Sequence, residues 1–141
     1  MSTICRYKIL PEFKLVIGKY TGLISEKEII SLKNDIKNDK DFDWDFNVLD
    51  DFTNAVFNLS EKGPEIILHW LQENYSSKRQ SALLTNTPDQ VVVITLFKYL
   101  EKNKLPMSIK IFSTLSSALP WVGISSKNEQ DLAEIMKELK Y

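Results

Sequence analysis

The order of apolar and polar positions along the chain predicts strands that alternate with helices. Residues 4–10 and 13–20 alternate in polarity with a period of two, which is typical of strands, and the short gap between them favours a hairpin. Three more strands are predicted: one that ends near Asp51, one over 81–85 and one over 108–113. Because segments with helical spacing separate these strands, we expect parallel crossovers between them.

Capping residues indicate where the helices begin. Ser25 starts helix one with a capping box, and either Ser60 or Gly63 starts helix two. Thr87 starts helix three, with a proline at the first helical position. The next helix is predicted to be short or kinked, because Pro120 lies several residues inside it and removes a backbone hydrogen bond.

The composition is that of an ordinary globular protein. The 141 residues carry 18 Lys and Arg against 19 Asp and Glu, a formal charge of -1, and 43% of them are hydrophobic. These values exclude a disordered chain, and the lack of net positive charge excludes a strongly basic nucleic-acid-binding protein. We expect a single domain over residues 1–141, with an amphipathic helix at 125–141 appended to its end.

Two features of the sequence favour a cytoplasmic protein. Residues 1–10 contain neither the apolar stretch nor the cleavage site of a secretory signal. The most apolar stretch, 91–100, is shorter than the roughly 20 residues that span a bilayer. The chain has one cysteine, Cys5, so it cannot form an internal disulfide.

Four segments of the chain are similar in sequence to segments of one known fold family. They are Leu15-Val16-Ile17-Gly18 with Gly22, Asn47-Val48-Leu49-Asp50-Asp51-Phe52, Ser81-Ala82-Leu83-Leu84-Thr85-Asn86-Thr87-Pro88, and Lys110-Ile111-Phe112-Ser113-Thr114-Leu115 with Ala118 and Trp121. Together they resemble the STAS superfamily of sulfate-transporter and anti-sigma-factor-antagonist domains, and in particular its SpoIIAA-like bacterial relatives. The resemblance implies an α/β fold: a mixed sheet of about five strands with an opening hairpin, β–α repeats and an extra C-terminal helix.

The resemblance also implies a function, that of a non-enzymatic regulatory or protein-binding domain with an unidentified protein partner. Phosphorylatable members of the family carry Asp-Ser-Ser-Gly where the central helix begins, whereas this chain has Asn-Leu-Ser-Glu-Lys-Gly at 58–63. Only Ser60 could stand in for the switch serine, and the carboxylate of Glu61 beside it would oppose an added phosphate. We therefore expect no standard phosphoserine switch and interpret Ser60 as an N-cap.

Asp50 and Asp51 are further candidate interaction residues, because they lie near the predicted end of a strand, where open α/β sheets place ligand sites. Adjacent residues of a strand point to opposite faces, so these two carboxylates are not expected to act as a catalytic pair. Residues 52–59 are compatible with a continued strand or with a loop. The predicted contact region is the surface of helices one and two together with the loop after Asp51.

Aromatic residues make up 11% of the chain, and they support a second hypothesis. Several of them could line an apolar pocket between helices and sheet, and the candidates are Trp44, Phe57, Trp70, Phe97 and Trp121. The ligand would then be a lipid or another small apolar molecule. The same residues also fit a tightly packed core without a pocket, and both alternatives stay open.

The sequence contains no recognisable catalytic or metal-binding set. His69 is its one histidine, and a Gly-x-Ser-x-Gly motif is missing. Alternating aspartates at 39–43 imitate the start of a calcium loop, but Trp44 occupies the position that requires glycine. We predict no metal, no cofactor and no enzymatic activity. A homodimer is expected if the apolar stripe of the last helix covers a second copy rather than its own domain.

Overall fold

The computed structural model describes residues 2–139, and its centre is one five-stranded sheet. The strands are β1 (Ile4–Leu10), β2 (Leu15–Ile24), β3 (Asn47–Phe57), β4 (Gln80–Leu84) and β5 (Ser108–Phe112), and they lie side by side in that order. β1 and β2 form an antiparallel hairpin, while β2 to β5 are parallel. The predicted mixed sheet with an opening hairpin is therefore confirmed.

Five α-helices within residues 2–139 cover the two faces of this sheet. They are α1 (Glu26–Lys37), α2 (Gly63–Asn74), α3 (Pro88–Glu101), α4 (Leu115–Ala118) and α5 (Glu129–Glu138), with short 3-10 helices at Pro11–Phe13 and Ser126–Asn128. The crossover connections between successive parallel strands have the same handedness, which places the connecting helices on one side of the sheet. The helices α1, α2 and α3 therefore pack on the same face. α4 and α5 pack on the other face. No helix of the described part is both long and apolar enough to cross a membrane.

The third strand continues past Asp51, where the sequence suggested that it ends. A bulge after Asp51 interrupts the alternation of apolar and polar residues, which is why the sequence suggested a strand end there. Lys19 of β2 pairs with Asp51 and Thr21 pairs with Asn54, so β3 holds one extra residue between these pairs. The carboxylate of Asp51 accepts hydrogen bonds from the backbone N–H and the hydroxyl of Thr53, at 2.9 and 2.7 Å, and stabilises the bulge. The contact loop expected after Asp51 is therefore a strand.

The helix caps explain the predicted starts of α1 and α3, and of the two alternatives predicted for the start of α2 the structure has Gly63. The Ser25 side chain caps α1, and Thr87 forms a complete capping box with Gln90 at the start of α3. α2 begins at Gly63, and Ser60 does not cap it, because the serine hydroxyl donates to a carboxylate of α1 instead. The interpretation of Ser60 as an N-cap is therefore wrong.

The C-terminal helix covers its own sheet. Leu132 and Met136 of α5 are buried in the core layer shared with α4, and the side-chain amine of Lys19 donates to the carbonyl oxygen of Met136 at 3.4 Å. The apolar stripe is thus used within the chain, which removes the reason given for a homodimer. Of the predicted segment 125–141, residues 140–141 lie outside the described residues.

Candidate functional site

A cavity lies between the sheet and helices α1, α2 and α3. Its volume is about 80 Å³, which is several times the roughly 15 Å³ that one water molecule requires and about half of a roughly 150 Å³ cavity that holds benzene. The apolar part of its lining includes Ile29, Val48, Phe52, Ile67, Leu71, Leu83, Ile94, Met107 and Ile109. A cavity of this size and lining suits a small, largely apolar molecule.

Four polar residues interrupt this apolar lining: Lys33, Asp50, Arg79 and Ser81. Asp50 lies on the central strand and is 3% exposed. Its Oδ2 accepts a hydrogen bond from Lys33 Nζ at 3.0 Å, whereas its Oδ1 has no partner within residues 2–139. Gly18 on the neighbouring strand gives this carboxylate its room, because a Cβ there would lie 2.5 Å from Oδ1. A buried ion pair is thus part of the cavity wall.

Arg79 is a further charged group of the cavity wall, and it is 7% exposed. Its guanidinium donates to the carbonyl oxygen of Phe46 at 3.4 Å and lies 4.2 Å from the ring centroid of Tyr75. In the part of the chain that the structure describes, its Nε has no hydrogen-bond partner and no carboxylate forms an ion pair with it. Burial lowers the pKa of Arg79, and the guanidinium stays charged at neutral pH.

Asp51 lies on the opposite face of the sheet, away from the cavity. Its Oδ2 is 3.6 Å from Lys19 Nζ, and the same amine reaches the backbone of α5. The adjacent carboxylates of Asp50 and Asp51 therefore form separate ion pairs on the two faces, as expected for neighbours in a strand. Asp51 holds the bulge and the C-terminal helix, and it does not contribute to the cavity.

Ser60 also lies outside the cavity, in the exposed loop ahead of α2. The carboxylate of Glu26 accepts a hydrogen bond from its N–H at 3.0 Å and another from its hydroxyl at 2.8 Å. The backbone hydrogen bond from Ser60 is the main cause that lowers the pKa of Glu26. A phosphate on Ser60 would replace the donor hydroxyl with anionic oxygens beside this carboxylate and break the contact between the loop and α1.

The structure brings together two of the five aromatic residues predicted to line a pocket. Phe57 and Phe97 line the cavity, together with Phe52. Trp44 and Trp70 instead pack around the tyrosine at the C-terminal end of α2. Trp121 packs against the core layer of α4 and α5, because the chain has crossed to the other face of the sheet before it reaches this residue.

Sequence reasoning missed the two cations of the cavity wall. Lys33 follows Ile29 by four positions and precedes Ile36 by three, so it lies next to the buried stripe of α1. This spacing indicates, from the sequence alone, that Lys33 is close to the core. Arg79 directly precedes β4. Its sequence neighbours do not distinguish it from a surface arginine in a helix–strand loop, so only the fold reveals its burial.

The other candidate groups do not form a site. Within residues 2–139, no three His, Cys, Asp or Glu side chains lie close enough to hold a metal ion. Asp39 and Asp43 each accept a hydrogen bond from the backbone N–H two residues later, so the acidic segment consists of local turns. His69 is exposed on α2, and burial raises the pKa of the Cys5 thiol to about 11, which makes it a poor nucleophile at neutral pH.

Comparison with known proteins identifies the fold. No protein-family model matches the sequence, and a search of curated proteins gave no match. Among solved structures, the chain is similar to an uncharacterised protein of the DUF3478 family with a SpoIIAA-like fold, from Shewanella loihica PV-4. The match has a TM-score of 0.60 and 13% sequence identity, and it covers 86% of this chain and 96% of the other. The chain therefore has a SpoIIAA-like fold, as the resemblance implied.

Proposed function

We propose that residues 1–141 act as one non-enzymatic binding domain and that the cavity binds a small, largely apolar ligand. The observation that carries this proposal is the cavity of about 80 Å³ that is lined mainly by apolar side chains of the sheet and of α1, α2 and α3. Close packing leaves few voids larger than a water molecule in protein interiors. An apolar pocket with a few convergent polar groups is a typical ligand site, so this hypothesis has stronger support than a fully packed core.

The cavity has an edge through which a ligand can enter. Phe57, Leu59, Val93 and Phe97 line it and are only half-buried, whereas lining residues such as Val48 are buried. Half-buried lining residues mark where a cavity meets solvent, and although Lys33, Leu83 and Ile109 are half-buried as well, two of the four residues above belong to α3 and the other two to the end of β3 and the loop after it. We therefore assign the entrance to the gap between α3 and the end of β3, and Val93 is the residue with which to test it.

Val93→Phe is expected to weaken ligand binding by about tenfold or more, which corresponds to about 1.4 kcal/mol. The larger ring fills space that the ligand needs, because Val93 lines the cavity. Binding of 1-propanol is measured by titration with two-dimensional amide NMR. Native mass spectrometry of gently purified protein shows in addition whether a ligand is retained from the cell.

Val92→Phe is the matched control for this variant. Val92 is the preceding residue of the same helix and is 57% exposed, so the same side-chain change adds no atoms to the cavity. It should leave the dissociation constant unchanged. A wild-type protein with no saturable shifts in cavity residues, or equal weakening by both variants, would contradict the proposal.

Protein binding is the second candidate function, and exposed apolar side chains on α3 favour it. Val92, Leu96 and Tyr99 are 57%, 59% and 79% exposed and follow each other at intervals of four and three residues, so they form one stripe on the outer face of α3. Contiguous exposed apolar surface often marks an interaction site. On the surface of α1 and α2, where the sequence predicted the contact, Ile66 is 45% exposed.

Leu96→Glu is expected to abolish capture of a protein partner, since it places a charge in the centre of the α3 stripe. Ile66→Glu makes the same kind of change on α2 and serves as the matched control. Quantitative mass spectrometry compares the proteins captured by the wild type and by each variant. A partner lost only with Leu96→Glu supports the stripe, one lost only with Ile66→Glu supports the surface of α1 and α2, and equal capture by all three proteins contradicts both.

A further inference from the structure

The charges in the cavity wall do not balance. Its lining residues include two cations, Lys33 and Arg79, and one anion, Asp50. The anion is paired through one oxygen, because Asp50 Oδ2 lies 3.0 Å from Lys33 Nζ, while Asp50 Oδ1 has no partner within residues 2–139. Arg79 therefore contributes one excess positive charge at a position that is 7% exposed.

The contacts of Arg79 compensate this charge only in part. The carbonyl oxygen of Phe46 accepts from the guanidinium, and the rings of Tyr75 and Phe42 lie 4.2 and 5.7 Å from it. Burial lowers the pKa of Arg79, and the nearby Tyr75 side chain and Asp50 carboxylate offset only part of that effect. Within residues 2–139, Nε has no acceptor at all. Burying an ion without a counter-ion is unfavourable, and the burial that lowers the pKa of Arg79 reports the same desolvation. An anion in the cavity would supply both the missing charge and the missing acceptor.

We infer that the ligand is a small amphiphile with a single carboxylate that pairs with Arg79, an inference that rests on the proposed ligand-binding function. The planar guanidinium offers parallel N–H donors that match the two oxygens of a carboxylate. One excess cation suits a monoanion better than a doubly charged phosphate. The apolar lining then holds a hydrocarbon body of about two or three carbon atoms, since the cavity has a volume of only about 80 Å³, roughly half of one that holds benzene.

Three probes with one hydrocarbon body and different head groups test this inference on the wild-type protein. They are propanoate, 1-propanol and propylamine, titrated at neutral pH and followed by two-dimensional amide NMR. The carboxylate is expected to bind about tenfold more tightly than the alcohol, because hydrogen bonds to charged groups are the stronger ones. The amine is expected to bind most weakly, since it would add a second cation beside Arg79.

Arg79→Met tests the assignment of the head group to this residue. The variant keeps an unbranched side chain but lacks the guanidinium, so the carboxylate and the alcohol should bind with equal affinity. Arg79→Lys keeps the charge and should keep part of the preference. Circular dichroism establishes that each variant is folded, and if a variant does not fold, the three probes on the wild type decide the inference alone.

The outcomes separate this inference from the function on which it rests. If none of the three probes binds, the proposed ligand-binding function fails and the inference fails with it. If the alcohol binds as tightly as the carboxylate, or the amine binds most tightly, the cavity is a ligand site and only the anionic class is overturned. A carboxylate preference that survives in Arg79→Met would overturn the pairing with Arg79.

Discussion

Asp50→Leu is expected to lower the free energy of unfolding by about 3–5 kcal/mol, because it leaves the amine of Lys33 charged and without its counter-ion in a buried position. The two side chains are 12% exposed for Lys33 and 4% for Asp50, and Nζ lies 3.0 Å from Oδ2. Lys33 belongs to α1 and Asp50 to the central strand, so the lost contact also joins helix to sheet. Urea unfolding followed by circular dichroism measures the change.

The double variant Asp50→Leu, Lys33→Met separates the loss of charge balance from the loss of packing. A buried ion pair can be replaced by apolar residues of similar volume with little change in stability, so the double variant should recover most of the loss. Equal destabilisation of the single and double variants would assign the effect to side-chain shape. A loss below about 1 kcal/mol for Asp50→Leu would mean that the pair contributes no more than a surface ion pair does.

The order of the elements could be predicted because each boundary has a local chemical cause. The capping box of Thr87 and Gln90 starts α3, and α4 is short because it ends before Pro120. The length of β3 could not be predicted in this way. Its bulge depends on pairing with β2 and on the contact of Asp51 with Thr53, and it shifts the apolar pattern by one residue, so residues 52–57 resemble a loop when the sequence is considered alone.

The candidate site was less accessible from the sequence, because it depends on which face of the sheet each segment reaches. Phe57 and Phe97 lie at the cavity, whereas Trp121 lies across the sheet from it. The amino-acid composition does not show which of these aromatic residues lies on which face of the sheet. Lys33 could have been noticed beside the apolar stripe of α1, but its pairing with Asp50 requires the position of α1 over the central strand, which only the fold supplies.

Gln90→Leu is the other substitution for which we expect a large effect, a loss of about 3 kcal/mol in the free energy of unfolding. The Gln90 side chain is 3% exposed. Its oxygen accepts from the N–H groups of Asn86 and Thr87 at 2.8 and 3.2 Å, and its nitrogen donates to the carbonyl oxygens of Thr53 and Ala55 at 3.2 and 2.9 Å. Leucine fills similar space but makes none of these four hydrogen bonds, so all four backbone groups lose their partner.

The two carbonyl oxygens depend on Gln90 because the neighbouring strand does not reach them. β4 pairs with β3 only as far as Asp51, so the carbonyl oxygens of Thr53 and Ala55 lie beyond the end of the neighbouring strand. One side chain therefore joins the bulged half of β3 to the start of α3, which are the two elements beside the proposed entrance. Thermal and urea unfolding of Gln90→Leu measure the loss, and a change below about 1 kcal/mol would contradict this role.

Gln90→Glu is the matched control, and it separates the donor half of the side chain from the acceptor half. At neutral pH the introduced carboxylate still accepts from the two N–H groups, but it places a negative charge against the carbonyl oxygens of Thr53 and Ala55. The N–H groups of Asn86 and Thr87 lower the pKa of the introduced group, whereas burial and these carbonyls raise it. At 3% exposure burial is the larger effect, so the protonated form, which can donate, is favoured in the folded state. A raised pKa contributes stability at low pH that is lost as the pH rises. Gln90→Glu should therefore gain stability relative to Gln90→Leu between about pH 7 and pH 4, and a constant difference between the two variants over this range would contradict the raised pKa.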